Sequence, residues 1–477
     1  MEKQIIRELE QLLGREAVIS SRDELLLYDY DGSVEEAHPD CVVFPRTTAD
    51  VSAIARISTK YGVPMVGRGA GTGLSGGALA VQGGILTVFS RMNRILEIDE
   101  ENLRAVVQPG VVNLDVTRAA EHLGLYFAPD PSSQKACTIG GNVAENAGGP
   151  HTLAYGVTTN HVTGLELVLP SGDVVRVGGK TCETPGYDLT GLMVGSEGTL
   201  AIVTEVTVKL SRKPEAVKTL LAIFDKIEDA PETVADFTGR AITPAACEMM
   251  DGWTLRAVEE FVHAGFPLDS AAVLLIEVEG LKEAVEEQAS QIEEICKLHH
   301  AREVRVARDA AERDLLWKGR KNAFGAVGRL SPSYYVQDAV IPRTKLPETL
   351  RKINEIGKRY GFTIGNIFHA GDGNLHPIIL FDQRDSEEFK RAVAASGEIM
   401  RHCIECGGAL SGEHGIGMEK NELMPLMFSD GDLELMRRVR EAFNPEGRLN
   451  PGKVLPIGKG CKEIRMPHGG TASLGML

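Results

Sequence analysis

The stretch Asn366-Ile-Phe-His-Ala-Gly-Asp-Gly-Asn-Leu-His-Pro377 constrains this chain more than any other. Asp372-Gly373 is a strong two-residue hairpin signal, because a type I′ turn requires positive φ at both central positions. A hairpin centred there predicts that Gly371 faces Asn374, Ala370 faces Leu375 and His369 faces His376. Directly opposed side chains share one face, with Cβ atoms roughly 4.5–5.5 Å apart, so two imidazoles so placed can chelate one metal ion. The same pattern also suits a polar pair on an exposed hairpin, or a single metal-free catalytic histidine. A second stretch, Ser411-Gly-Glu-His-Gly-Ile-Gly417, sets a carboxylate and an imidazole side by side in a glycine-flanked loop. Two His and one Glu form a common ligand set for catalytic zinc, with positions left open for substrate; similar sets suit iron or manganese. Glu413 is then the expected third ligand. His414 is free to act as a base, since an imidazole near neutral pKa suits proton transfer. The competing reading of Glu413-His414 is an ordinary polar loop.

A different chemistry is written earlier. Gly67-Arg-Gly-Ala-Gly-Thr-Gly-Leu-Ser-Gly-Gly77 lets backbone N–H groups converge on an anion, as phosphate-binding nests do. Gly71-x-Gly73-x-x-Gly76 matches the dinucleotide fingerprint, but that fingerprint must open a helix. The residues directly after it, Ala78 to Phe89, are β-rich and broken by Gly83-Gly84, so a Rossmann unit is rejected. Gly73-Leu-Ser-Gly-Gly77 fits G-x-S-x-G without the strand-to-helix context of a nucleophile elbow. Gly179-Lys-Thr181 lacks the first glycine of a P-loop, since residue 174 is Val. Thr138 to Gly149 is a second glycine-rich stretch, some 70 residues on. Its plainer reading is a packed turn and helix start; two phosphate-friendly loops suggest a cofactor larger than a mononucleotide.

Around these motifs, helices are expected over Val51–Tyr61, with Thr48 or Asp50 near the start, and over Asn113–Leu123. Strands are expected over residues 63–66 and 103–108, a hairpin about Ser171-Gly172, and a long β-rich run to Leu210. After Arg212-Lys-Pro-Glu215 strand-like runs (219–224, 272–278, 303–307, 334–341) alternate with helical ones (281–298, 310–327, 345–360), the pattern of an α+β domain with an antiparallel sheet. Arg320 falls on one of those helices, where a solvated cation is the default. Net charge is −16, which argues against a nucleic-acid or anionic-membrane surface. No apolar run reaches the 18 residues of a spanning helix. The N-terminus has neither the apolar core nor the cleavage site of a signal peptide. Eight cysteines without framework spacing read as reduced thiols in a cytoplasm; Cys403-x-x-Cys406 has no partner pair and no Fe–S pattern is present.

Taken together, residues 63–77, 129–149 and 195–210 resemble the flavin-binding domain of the vanillyl-alcohol-oxidase/PCMH superfamily. Residues 216–455 resemble the C-terminal domain of its D-2-hydroxy-acid dehydrogenases. The motifs that carry this are His369–Pro377, Ser411–Gly417 and Phe443-Asn-Pro-Glu-Gly-Arg-Leu-Asn-Pro-Gly-Lys453. The resemblance implies an α+β chain: an N-terminal helix and PCMH-type FAD-binding domain (1–214), and an α+β substrate or cap domain with an antiparallel sheet (215–410). After these come a segment that completes the active site and returns to the FAD domain (411–457) and a tail (458–477). The resemblance implies FAD, with the pyrophosphate on the backbone around Arg68, Gly69, Ala70, Gly71, Thr72, Gly73, Leu74 and Ser75. Pro129, Asp130, Ser133, Thr138, Gly140, Gly141, Asn142, Asn146 and Gly148 complete that site, Glu197, Gly198 and Val203 hold the adenine side, and Asn450 returns to the flavin domain. The first loop has no His for covalent attachment, so FAD is expected to be noncovalent. By the same resemblance His369, His376 and Glu413 hold a divalent metal, usually zinc, His414 is the base, and Arg320 pairs with the substrate carboxylate.

The implied reaction is oxidation of a D-2-hydroxy acid to the 2-oxo acid, with hydride passing to flavin N5. Ile378, two residues past His376, favours a small or apolar acid such as D-lactate over the dicarboxylate 2-hydroxyglutarate; glycolate is the other alternative. Electrons must leave to a partner, for which an electron-transfer flavoprotein or an iron–sulfur subunit is expected, or to another acceptor such as a quinone. Two other classes remain: a zinc hydrolase, which leaves both glycine-rich loops unexplained, and a noncatalytic metal-binding subunit of a larger assembly, which predicts no substrate-dependent bleaching of bound flavin.

Overall fold

Thr47-Thr-Ala-Asp50 starts the first long helix. Thr47 Oγ1 accepts the Asp50 amide at 3.2 Å and the Asp50 carboxylate accepts the Thr47 amide at 3.0 Å, a reciprocal cap one residue earlier than expected. In the computed structural model, which describes residues 1–181 and 185–457, this helix runs Thr48–Tyr61 and buries Val51, Ile54 and Ile57. It covers a four-stranded sheet ordered Val18–Ile19, Cys41–Val43, Ile85–Val88, Met65–Arg68, in which the last three strands are parallel. The glycine-rich segment leaves strand Met65–Arg68 as an irregular loop and opens no helix. Only Ile85–Val88 of the expected β-rich run 78–89 is strand. The next sheet is antiparallel and five-stranded, ordered Ile95–Asp99, Arg104–Val107, Ile202–Lys209, Val162–Val168, Val174–Gly178. The long β-rich run expected over 195–210 begins instead with a tight turn, with Glu197 at φ 52° and Gly198 at φ 67°.

Beyond residue 215 the described residues form a nine-stranded antiparallel sheet. Its main path is Glu303–Val306, Ala216–Phe224, Ala272–Gly280, Ala246–Asp251, Ile364–His369, Asn374–Leu375, Ala339–Val340. Both faces are apolar. Along Ala216–Phe224 the residues Leu220, Ala222 and Phe224 pack under the helices Lys282–Leu298, Leu346–Tyr360 and Ser386–Glu405. Leu221 and Ile223 face the helices Gly252–Val262 and Ala310–Lys321, as the two-residue period of a strand requires. Two expected elements are interrupted where the site lies. The helix over 310–327 breaks at Asn322 into Ala310–Lys321 and Ala323–Val327. The strand over 334–341 breaks at Gln337-Asp338. The chain end returns to the first domain, where the Met65 amide donates to Arg448 O at 3.0 Å and the Asn450 amide to Met65 O at 2.9 Å. The expected tail, 458–477, lies outside the described residues.

Candidate active site

The histidine hairpin forms in a different register from the one expected. His369 pairs with Asn374, not His376, and Asn366 pairs with Pro377. The turn therefore spans four residues, 370–373: the Gly373 amide donates to His369 O at 3.1 Å, and the Asp372 carboxylate accepts the Asn374 amide at 3.0 Å. Gly373 takes φ 80° while Asp372 stays outside the positive-φ region, so the turn is not type I′. The shift is two residues, and side chains alternate with period two, so His369 and His376 remain on one face as diagonal neighbours. Their ring centroids are 5.1 Å apart.

Each imidazole is turned so that one nitrogen faces inward. His369 Nδ1 lies 2.7 Å from Glu248 Oε1 and its Nε2 3.1 Å from Glu413 Oε1. His376 Nδ1 lies 3.3 Å from Gln337 O, and its Nε2 3.2 Å from the same Glu413 oxygen. His376 Nε2 and Glu413 Oε2 are buried without a hydrogen-bond partner. Glu248 and Glu413 outweigh the burial that disfavours charge and push His369 well above the usual imidazole range. The cluster therefore demands positive charge. An imidazole that gives Nδ1 to a carboxylate or carbonyl and presents Nε2 is the arrangement of metal-bound histidine. The donor set, its ligand atoms within 4.8 Å of one another, and its unpaired atoms fit a divalent ion.

Two carboxylates that the sequence did not single out hold this geometry. Glu248, on strand Ala246–Asp251, sits between His369 and Arg320, whose Nη2 is 2.5 Å from Glu248 Oε2. Arg320 is fully buried, and none of its three guanidinium nitrogens makes an aligned hydrogen bond. Asp338, at the break in its strand, gathers the 411–417 loop. It accepts Ser411 Oγ at 2.6 Å and the amides of Gly412 and His414 at 3.0 Å each, with Lys420 Nζ 3.3 Å away. His414 stacks on His376 with centroids 4.9 Å apart. Burial lowers its pKa to about 4 against the raising effect of Asp338, and its Nδ1 has no partner.

Glu413 and His414 form one end of the large cavity, with Lys321, Phe324, Tyr334 and Val336. The wall also includes Arg68 to Leu74, Ser133, Thr138, Gly140, Gly141, Asn142, Glu197, Gly198 and Val203. The two glycine-rich segments meet here: a Cβ on Gly69 would lie 2.4 Å from Thr138 Oγ1, and Thr138 caps the turn of helix Ile139–Glu145. Arg68 Nη1 and Asn142 Nδ2 are buried on the wall without partners, which fits an anionic, hydrogen-bonding cofactor. The Cys137 thiol also lines the cavity, and burial pushes it up to about 11, far from the thiolate that covalent attachment needs.

Several expected cofactor residues stand one layer behind. Ser75 is buried and its carbonyl accepts the Met418 amide at 3.0 Å. Pro129 O accepts Asn113 Nδ2 at 3.0 Å, and Asn146 Oδ1 accepts the Thr159 amide at 2.9 Å. A Cβ on Gly148 would lie 3.1 Å from Glu413 Oε2. Asn450 Nδ2 donates to Glu197 O at 2.6 Å and Gly77 O at 2.9 Å, and Glu197 accepts the Ile416 and Gly417 amides at 2.7 and 2.8 Å. Asp130 is engaged by His151 and Lys321. Ile378 does not face the cavity: it is fully buried in the core between the sheet and helix Gly252–Val262. Its apolar side chain therefore says nothing about the substrate, and the preference for D-lactate drawn from it falls.

Comparison with known proteins shows the family to which this fold belongs. The family description "FAD linked oxidases, C-terminal domain" matches residues 213–454, and "FAD binding domain" matches residues 39–178. The chain belongs to the FAD-linked oxidases, with a PCMH-type FAD-binding fold. It is 46% identical to the glycolate oxidase subunit GlcD of Escherichia coli K12, over 94% of this chain and 91% of that protein. It is 44% identical to the GlcD subunit of Bacillus subtilis, over 95% and 97%. Identity to the D-lactate dehydrogenase of Anaerostipes hadrus is 33%, over 91% and 92%. Among solved structures, p-cresol methylhydroxylase superposes with a TM-score of 0.80 at 19% identity, over 94% of this chain and 96% of that one, a likeness of fold.

Proposed function

We propose that this chain oxidises a small 2-hydroxy acid, glycolate first and D-lactate second, using noncovalent FAD and a divalent metal, zinc or alternatively iron or manganese. The observation that carries this reading is the convergence of His369 Nε2 and His376 Nε2 on Glu413, with His414 beside them on the wall of the flavin-binding cavity. Identity is higher to the GlcD subunits than to the D-lactate dehydrogenase, and this supports placing glycolate ahead of D-lactate.

Bound flavin supplies a hydride acceptor for the substrate's C2. A metal held by His369, His376 and Glu413 supplies Lewis acidity that lowers the pKa of the substrate hydroxyl. The protein's own groups do the rest. His414, kept neutral by burial, has Nδ1 free to take the hydroxyl proton. Arg320, fully buried and ion-paired with Glu248 next to the cavity-lining Lys321, is the planar guanidinium we assign to the substrate carboxylate. Asp338 fixes the loop that carries both Glu413 and His414. Arg68 and Asn142, with the amides of 69–74, hold the anionic part of the cofactor. Phe324, Tyr334 and Val336 give the space beside His414 an apolar wall. The adjacent Lys321 is already engaged by Asp130, which disfavours a dicarboxylate such as 2-hydroxyglutarate. No helix among the described residues is long and apolar enough to cross a membrane. We place the protein in the cytoplasm, passing electrons to an electron-transfer flavoprotein or an iron–sulfur subunit.

The test is an anaerobic absorbance titration of the purified protein with glycolate, D-lactate, L-lactate and D-2-hydroxyglutarate. Bleaching by glycolate and D-lactate but not by L-lactate is expected, with the FAD released on denaturation. A protein that binds no flavin, or a flavin that stays oxidised with every acid, overturns the reading.

A further inference from the structure

A second group of buried charges bridges the two domains and touches the same helix as Arg320. His151, from the flavin domain, lies 3.0 Å from Asp130 Oδ2 through Nδ1 and 3.2 Å from Glu277 Oε1 through Nε2. Glu277, from the sheet of the second domain, also accepts Thr219 Oγ1 and Trp317 Nε1, each at 2.6 Å on Oε2. Asp130 Oδ2 is shared with Lys321 Nζ at 2.9 Å. The His151 ring lies over Trp317, with centroids 5.5 Å apart at 31°. Trp317, Arg320 and Lys321 stand at i, i+3 and i+4 of helix Ala310–Lys321, hence on one face. Two of the three are fixed by this network, and the third is the arginine assigned to the substrate carboxylate.

We propose that Asp130, His151 and Glu277 form an interdomain clasp that positions the last turn of helix Ala310–Lys321, and through it the carboxylate-binding geometry of Arg320, while holding Lys321 on Asp130. Asp130 is then a positioning residue and not a direct cofactor contact. The clasp alternates in sign, Lys321 and His151 positive, Asp130 and Glu277 negative, so removal of His151 leaves the buried Glu277 without its cation and removal of Asp130 leaves Lys321 without its carboxylate. Arg320 lies only two residues before the break at Asn322, so its place depends on how that last turn is seated. Lys321 lines the cavity, so displacement of this turn alters the charge that an incoming carboxylate meets.

The clasp rests on the proposed role of Arg320, and the experiment separates the two. His151→Gln, Asp130→Asn, His151→Lys and Arg320→Met would be compared as flavin-loaded holoenzymes. KM and kcat for glycolate would be normalised to bound FAD, together with the dissociation constant of oxalate read from perturbation of the flavin spectrum. The expected result is a rise of about 10-fold in KM and in the oxalate constant for His151→Gln and Asp130→Asn, kcat within about 2-fold, and partial recovery in His151→Lys. Unchanged KM and oxalate binding in the loaded fraction of His151→Gln and Asp130→Asn overturns the clasp as a positioning device, whatever their melting temperatures or total flavin content. Arg320→Met with unchanged KM and oxalate binding overturns instead the carboxylate role on which the clasp rests.

Discussion

Two histidine–carboxylate clusters are reached from the last turn of one helix, and only one of them is incomplete. Both bring three ligand atoms within 4.8 Å, His369, His376 and Glu413 in one, His151, Glu277 and Glu279 in the other. In the second, both His151 nitrogens and both Glu277 oxygens have partners inside the protein, Glu279 accepts the Tyr155 hydroxyl, and both oxygens of the adjoining Asp130 are taken as well. In the first, His376 Nε2 and Glu413 Oε2 have none, and His414 Nδ1 beside them has none either. A buried polar atom without a partner costs about 1–3 kcal/mol, so the incomplete cluster gains free energy from a ligand that the complete one has no place for. Ligand spacing alone does not separate a metal site from an ionic clasp; the account of which lone pairs are already occupied does.

The largest expected effect tests the incomplete cluster. His376→Ala or Glu413→Gln should lower turnover by at least about 10³-fold with FAD retained, measured by steady-state assay and flavin spectrum. Near-normal turnover in either would break the comparison at its root. Metal analysis sharpens it next: about one divalent ion per chain is expected, unchanged in His151→Gln. Two ions, one of them lost with His151, would show that the complete cluster also coordinates. A smaller effect is expected at Glu248, which holds the outer nitrogen of His369. Glu248→Gln should weaken metal binding by about 10–100-fold, read by competition against a chelator. Equal affinity would remove Glu248 from the account of the site and leave it a partner of Arg320 only.

The contrast between the clusters also marks what the sequence could carry. His369, His376, Glu413 and His414 were legible because hairpin and loop signals place them locally. The expected register was wrong by two residues and still kept both imidazoles on one face, since the error was even. Glu248, Asp338 and Glu277 were not legible. Each is an acid within or beside a largely apolar strand run, and its role comes from a partner far away in sequence, such as Glu248 with His369, 121 residues on. Asp130 was found as a residue but not by its partners, because His151 and Lys321 reach it only through the docking of two domains. Ile378 shows the reverse failure. Proximity to His376 in sequence put it near the substrate, while two residues on, the side chains of helix Gly252–Val262 and Val336 enclose it in the core. Glycine-rich loops were readable as a cofactor cradle, but which residues face the cavity and which support it depended on close approaches between the two loops.

The smallest effect expected is in stability against pH, and it belongs to the clasp. Burial lowers the His151 pKa, but Asp130 and Glu277 outweigh it and raise the pKa from the ordinary 6.5 to about 10. Glu279 adds to this negative surrounding, while Lys321 opposes it from the far side of Asp130. A group whose folded pKa is raised contributes its stability in full below the unfolded pKa and loses it as pH rises through the folded value. The clasp should therefore be intact at pH 6.5 and should weaken toward pH 10. At ~1.4 kcal/mol per pKa unit, and with part lost to relaxation around the pair, the loss between pH 6.5 and 9 should be roughly 1–3 kcal/mol. Asp130 acts at the other end: burial raises its carboxyl, but His151 and Lys321 hold it well below the usual range, so its contribution is present above about pH 4 and fades only in stronger acid. Denaturant unfolding of the holoenzyme should thus lose stability above neutrality with a slope that flattens in His151→Gln. A slope equal in the variant and the parent would mean that His151 is neutral in the folded protein, and the second cluster would then be a hydrogen-bonded network without the alternating charge that sets it apart from the first.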